Sequence, residues 1–229
     1  MMKISILGTG MVGQTIASRM LQLGHEVYMG TRNAEETKTR QEVSQMTGKS
    51  FATWYGENAG AKLVNFTDIP SDSDLVVNAT SGGASLEALK AVGLEKLKGK
   101  TIVDVANPLD FSQGMPPFLS VCNTDSLAET IQREFPDSHV VKSLNTMNAF
   151  IMVNPSLVKG DHAVFMAGND EASKAKVASW LGEIGWADRN IYDLGDLTAA
   201  RGMEMILPIW LRLFATQGSP MFNFNIAKG

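Results

Sequence analysis

Cysteine is almost missing from this 229-residue chain: Cys122 stands alone, so no disulfide can form within it and no cysteine-rich metal site can be built. Histidine is nearly as scarce. His25, His139 and His162 are scattered, with no His-x-x-x-His pair or glutamate-rich cluster beside them, which argues against a metal centre. No window approaches the roughly 18 uninterrupted apolar residues that a membrane span needs. The opening Met1-Met2-Lys3-Ile4-Ser5-Ile6-Leu7 has the basic-then-apolar look of a secretory leader, but its apolar run is cut by Gly8. It leads into a phosphate-loop pattern instead. Charge of one sign is lacking too: 20 basic and 24 acidic residues give a formal -4, without a long run of either, so no nucleic-acid footprint and no acidic tail is visible. These absences predict a cytoplasmic protein with neither nucleic acid nor membrane as partner.

What is present is enough apolar material, 44% of residues, to bury a sizeable core. Ile4-Ser5-Ile6-Leu7 reads as a short strand. Val12, Ile16, Met20 and Leu23 then recur near helical spacing, Gly24 ends that helix, and His25-Glu26-Val27-Tyr28-Met29 is a second strand. Strand, glycine-rich turn, helix and strand within about 30 residues make a βαβ unit, whose strands are parallel. Further strand-like runs fall at 62–66, 75–77, 101–105, 139–141 and 163–166, mostly separated by helical or mixed segments. Ser126-Leu127-Ala128-Glu129 is a capping box, and Asn169-Asp170 precedes a helix over 171–181. The fold class this predicts is α/β, a Rossmann-like, doubly wound, mainly parallel sheet.

The turn Gly8-Thr9-Gly10-Met11-Val12-Gly13 carries the chemistry. Gly-x-Gly-x-x-Gly is a weak signal alone, but here it follows a strand and opens a helix. Gly8 permits the tight turn, Gly10 lets backbone approach a pyrophosphate, and Gly13 lets the helix lie close to the strand, with its free N–H groups facing the phosphates. The end of the second strand then separates the two nicotinamide cofactors. An NAD site places Asp or Glu there for the ribose 2′-hydroxyl, whereas this chain reads Gly30-Thr31-Arg32-Asn33 with no carboxylate until Glu35. A 2′-phosphate suits that sequence, Arg32 pairing with it through its planar fork and Thr31 and Asn33 donating hydrogen bonds. NADP(H) is therefore the expected cofactor. In open parallel sheets ligands sit beyond the carboxyl ends of the strands, which adds Ala79 and Thr80 after one strand and Asn107 and Pro108 after the next.

Two segments resist this scheme. Residues 37–60 are polar, with Trp54 and Tyr55 as their main bulk, and read as an insertion over the sheet edge or the cofactor cleft. Residues 196–216 read as one long helix, apolar around most of its girth and kinked at Pro208. Such a helix needs cover, so it is expected to form a homodimer interface or a lid. The division that follows is a nucleotide-binding domain at 1–195 and a helical appendage at 196–229. No Ser-Tyr-x-x-x-Lys or His-Asp arrangement supplies an acid for carbonyl reduction, and no catalytic residue is assigned. Lys142, at a strand end, is the one candidate proton donor, although a lysine in that place is more often structural.

The motifs Gly8-Thr9-Gly10-x-x-Gly13, Leu23-Gly24-His25-Glu26-Val27, Gly30-Thr31-Arg32, Val140-Val141-Lys142 with Leu144-Asn145-Thr146, and Asp193-x-Gly195 through Arg201 resemble the F420-dependent NADP oxidoreductases, over most of the chain. That Rossmann domain is shared with certain membrane metalloreductases. The resemblance implies reversible hydride transfer between NADP(H) and the deazaflavin coenzyme F420 as a small-molecule co-substrate. It places Thr9, Met11, Thr31, Arg32, Thr80 and Asn145 against NADP and the acceptor ring near 145–148 and 195–201. The longer 37–60 segment and the 79–83 loop depart from that family's archaeal pattern. Two other readings stay open: reduction of another small acceptor such as a flavin, quinone or imine, and a non-catalytic NADP sensor.

Overall fold

The computed structural model describes residues 1–227. Its eight-stranded sheet is formed by β1 (Lys3–Leu7), β2 (Glu26–Thr31), β3 (Lys62–Asn65), β4 (Leu75–Asn78), β5 (Thr101–Asp104), β8 (His139–Ser143), β9 (Val164–Gly168) and β10 (Ile191–Asp193) in the order β10-β9-β8-β5-β4-β1-β2-β3. A two-stranded hairpin, β6 (Leu109–Asp110) and β7 (Phe118–Leu119), stands apart. The helices are α1 (Met11–Gln22), α2 (Ala34–Lys38), α3 (Phe51–Glu57), α4 (Ser85–Val92), α5 (Leu94–Leu97), α6 (Leu127–Glu134), α7 (Ala149–Val153), α8 (Glu171–Ile184), α9 (Ala200–Met205) and α10 (Leu207–Gln217).

The sheet is covered on both faces, and neighbouring strand residues serve opposite sides. Val77, Val103 and Val141 face a core that includes Ile16, Met20, Val177 and Trp180 from α1 and α8. Val76, Ile102 and Val140 face a second one with Leu89, Ile131 and Ala200 from α4, α6 and α9. Within the eight-stranded sheet the described strand pairs are parallel except β8 with β9. Residues 144–163 join the two strands and carry the five-residue α7 and a turn of 3-10 helix at Pro155–Leu157. The chain re-enters β9 from the end where β8 left off.

Both caps legible in the sequence are made: the Ser126 hydroxyl accepts from Glu129 N–H and donates to Glu129 Oε2, and Asp170 accepts from Ser173 N–H at the start of α8. The long helix expected over 196–216 is corrected. It is a turn of 3-10 helix at Leu197–Ala199 followed by α9 and α10, separated at Ile206. Pro208 lies in the first turn of α10, where its missing N–H costs nothing, and it cannot extend the α9 ladder backwards. Residues 37–60 contain the end of α2 and all of α3. Trp54 is buried and donates its Nε1–H to Ser18 on α1. Among the described residues no helix is long and apolar enough to cross a membrane.

Candidate active site

The strand order reverses between β1 and β4, since the chain builds outward through β2 and β3 and then returns to the other side of β1. A doubly wound sheet opens a crevice at that point, over the strands' carboxyl ends. Gly8 turns the chain there with φ of 109°. A Cβ on Gly8 would stand 2.6 Å from the Ala79 carbonyl oxygen, and one on Gly13 would stand 2.2 Å from that of Gly8, so strand, turn and helix meet backbone to backbone. Gly10 differs: no atom lies within 4 Å of the place its Cβ would take, so its bare face looks into open space. From Gly10 the helix α1 begins without a side-chain cap and without an acidic residue in its first turn. Its positive end is left for an anion.

Two hollows make up the crevice and share Ala79, Thr80 and Ser81 as a common wall. The larger, about 600 Å³, is lined by Gly8, Thr9, Gly10, Thr31, Arg32 and Arg40 together with Phe66 and the face of α4 that carries Glu87. The smaller, about 190 Å³, is lined by Val12, the loop 79–82, Val105, Ala106, Asn107, Leu109 and Phe111. No titratable side chain is among its lining residues.

Of the residues singled out in the sequence, Gly8, Thr9, Gly10, Thr31, Arg32, Ala79 and Thr80 gather in the larger hollow, and Val12 and Asn107 join Ala79 and Thr80 in the smaller one. Arg32 is exposed, and no carboxylate pairs with it among the described residues. Thr31 is buried and shares a hydrogen bond of 2.9 Å with Thr37. Asn33 instead caps α2 by accepting from Glu36 N–H. Met11 and Gly13 line neither hollow; Gly13 is the contact between helix and turn, and Met11 packs partly buried against the core. Pro108 begins the hairpin, its carbonyl accepting from Ser120 N–H. Asn145 sits just behind the smaller hollow, where its Nδ2 donates to Asn107 Oδ1 and to the Met203 carbonyl. Its Oδ1 is buried without a partner among the described residues, as is the Thr146 hydroxyl. A glycine cradle open at Gly10, an uncapped helix start and a stranded acceptor on Asn145 together fit a pyridine dinucleotide laid across the strand ends.

Lys142 has another occupation. Its ammonium is fully buried, 2.8 Å from Asp104 Oδ2 and 2.8 Å from Glu204 Oε1, and it also donates to the Ala106 carbonyl. Burial pushes the ammonium down, but the two carboxylates outweigh it and hold Lys142 above its ordinary range. Burial raises the Glu204 carboxyl against the opposing pull of Lys142. Glu204 further accepts from the N–H groups of Leu127 and Ala128 at the start of α6. Asp104 accepts from Asn78, which in turn accepts from the Thr80 hydroxyl. A polar chain thus runs under the crevice floor from Thr80 to α9. Sequence reasoning missed Asp104 and Glu204, whose partners are 38 and 62 residues away, and it missed Arg40, which sits eight residues beyond Arg32 in the segment read as an insertion.

Fold and crevice define a Rossmann-type oxidoreductase that works with a nicotinamide dinucleotide. The family model described as "NADP oxidoreductase coenzyme F420-dependent" matches residues 3–108. A solved structure of a candidate F420-dependent NADP reductase from Arthrobacter sp. FB24 is 51% identical and covers 100% of both chains with a TM-score of 0.93. The F420-dependent NADP reductase of Methanothermobacter marburgensis is 26% identical over 217 residues, 93% of this chain and 92% of that protein. The metalloreductase STEAP3 of Rattus norvegicus is 25% identical over 213 residues, which span 91% of this chain but only 38% of the metalloreductase. The chain belongs to the family of F420-dependent NADP oxidoreductases.

Proposed function

We propose that this protein transfers hydride between NADP(H) and a flat electron acceptor, and that the acceptor is coenzyme F420. The observation that carries the first half is Arg32: a guanidinium without a carboxylate partner among the described residues, at the rim of a glycine cradle, where a carboxylate would stand in an enzyme reading the ribose 2′-hydroxyl. In this reading Gly8 to Gly13 hold the pyrophosphate at the start of α1, and Thr31 and Arg32 take the 2′-phosphate. Asn33 helps by setting α2. Ala79, Thr80 and Asn107, with Pro108 beside them, would wall the nicotinamide half, and Asn145 Oδ1, buried behind that wall, would offer it an acceptor.

Bound together, the two coenzymes supply all the redox chemistry, a hydride passing from one ring to the other. The protein's part is to hold reacting carbons about 3–3.5 Å apart and to keep water out. A recess lined by apolar and uncharged polar groups, with no acid or base among them, suits ring-to-ring transfer better than reduction of a carbonyl, which asks for a proton donor. Lys142 is committed to its two carboxylates and is not that donor.

The same reading takes residues 1–195 as the nucleotide-binding unit and 196–229 as the segment that closes it and seats a second copy, giving a homodimer. Its support is α10, where Ile209 is 58% exposed and an apolar groove runs between Leu211, Phe214 and Ala215 and the hairpin tip at Met115 and Pro116. A reducing compartment, the cytoplasm, accords with the single cysteine.

Oxidation of NADPH followed by absorbance against F420, free flavins, quinones and cyclic imines tests the proposal. Turnover with F420 is expected. Turnover only with another acceptor would reassign the substrate, and binding without any turnover would make the protein a sensor. Arg32→Ala should weaken NADPH about tenfold or more while leaving NADH nearly untouched; equal losses would refute the 2′-phosphate assignment.

A further inference from the structure

The segment between α2 and α3 sends one side chain back into the crevice. Arg40 Nη2 donates to the Thr9 carbonyl at 2.9 Å and reaches the Thr9 hydroxyl at 3.3 Å. Its guanidinium lies over the ring of Phe51, 5.2 Å from the centroid, and Phe51 is itself buried. The backbone is tied at both ends, Arg40 N–H donating to the Thr37 carbonyl and the Arg40 carbonyl accepting from Ala52 N–H. A long, exposed cation is thereby held in one place at the lip of the glycine turn, with most of its N–H donors still unused. It lines the same hollow as Arg32.

Neither arginine forms an ion pair among the described residues. The nearby acids are engaged elsewhere or stand apart: Glu35 and Glu36 occupy the first turn of α2, and Glu87 on the far wall forms no ion pair with either arginine. Two like charges facing one hollow, neither of them paired with a carboxylate among the described residues, repel each other. Filling the hollow with a group of charge near −2, as a phosphate monoester carries, removes that repulsion. Resting on the dinucleotide reading above, we infer that Arg40 is a second specificity-determining residue for the 2′-phosphate, closing on it from the turn opposite Arg32. The segment at 37–60 is then a strap whose function is to present this guanidinium, with Phe51 as its platform.

Calorimetric titration separates the possibilities with two ligand pairs that differ chiefly in the 2′-phosphate, NADPH against NADH and adenosine 2′,5′-bisphosphate against AMP. Arg40→Met keeps an unbranched stem over Phe51 and removes the charge; Arg40→Ala removes both, and thermal melting confirms that each variant is folded. The expected result for Arg40→Met is a loss of about tenfold or more for NADPH and the bisphosphate, and of less than about threefold for NADH and AMP. Parallel losses in both members of a pair would assign Arg40 to the pyrophosphate or to holding Thr9, and no loss would remove it from binding; either overturns the inference. If Arg32→Ala is selective and Arg40→Met is not, this inference fails while the dinucleotide reading stands. If the wild-type protein takes NADPH and NADH alike, the 2′-phosphate reading fails and takes the inference with it.

Discussion

Replacing Lys142 with methionine tests the assignment of this lysine to the framework rather than to the chemistry. Methionine retains most of the apolar stem, so little packing is lost and the change is chiefly electrostatic. What remains is a pair of carboxylates, Asp104 and Glu204, that are 0% and 1% exposed and have lost their cation. Breaking a buried pair from one side costs about 3–5 kcal/mol. The lower end applies here, because Asp104 still accepts from Asn78 and from Ala106 N–H, and Glu204 still accepts from Leu127 and Ala128 N–H. For a chain of this size about 3 kcal/mol lowers the melting temperature by roughly 6–12 °C. The pH dependence has a definite sign. With Lys142 gone, only the N–H groups at the start of α6 still oppose the burial that already raises Glu204 above the ordinary glutamate value of 4.5. The folded state then takes up a proton at a pH where the unfolded chain does not. The deficit should therefore be largest at neutral pH and above, and should shrink as the pH falls towards 4.5. In the wild-type protein the contribution of Lys142 itself has the opposite reach: its raised value makes it complete below 10.5 and lost as the pH climbs beyond. Calorimetric melts of wild type, Lys142→Met and Lys142→Met/Glu204→Gln at pH 5, 7 and 9 decide the matter. The double variant should be less damaged than the sum of the singles. A shift under about 2 °C at pH 7, or a deficit that grows towards acid, would refute the reasoning.

Gly10→Ala should leave the melting temperature unchanged, because nothing in the protein meets the new methyl, and yet it should weaken NADPH at least tenfold by filling the phosphate side of the turn; intact affinity would place the pyrophosphate elsewhere. Gly13→Ala should do the reverse first, lowering thermal stability, since its Cβ would fall 2.2 Å from a backbone oxygen. Ile209→Glu puts a charge on the exposed face of α10 and should convert a dimer into monomers in sedimentation analysis. An unchanged mass would dismiss α10 as the interface.

Where residues near in sequence act together, the chain announces its structure. The run from Ile4 to Thr31 could be read as strand, turn, helix and strand because its glycines and apolar spacing are local signals. The Ser126 and Asp170 caps were legible for the same reason. What could not be read depends on distance. Lys142 looks like any lysine at a strand end until β5 and α9 bring Asp104 and Glu204 to it, and nothing near Glu204 marks it as the member that caps α6. The reversed strand β9 depends on where the 144–163 connection returns to the sheet, which no composition reveals. Arg40 was hidden because 37–60 looks polar and irregular; its hydrogen bonds to Thr9 and the position of Phe51 beneath the guanidinium distinguish it from a solvated arginine.

The polar chain under the crevice ties the far end of the polypeptide to the floor of its first half. From the Thr80 hydroxyl through Asn78, Asp104 and Lys142 to Glu204, each link is a direct side-chain contact, while Asn145 holds the Met203 carbonyl alongside. Anyone exchanging the last thirty residues to alter what the enzyme reduces would be cutting a load line of the crevice as well. A graft that keeps an acid at position 204, and the backbone bend that brings it inward, should keep the pocket; one that loses either would be misread as a failure of the new substrate to bind.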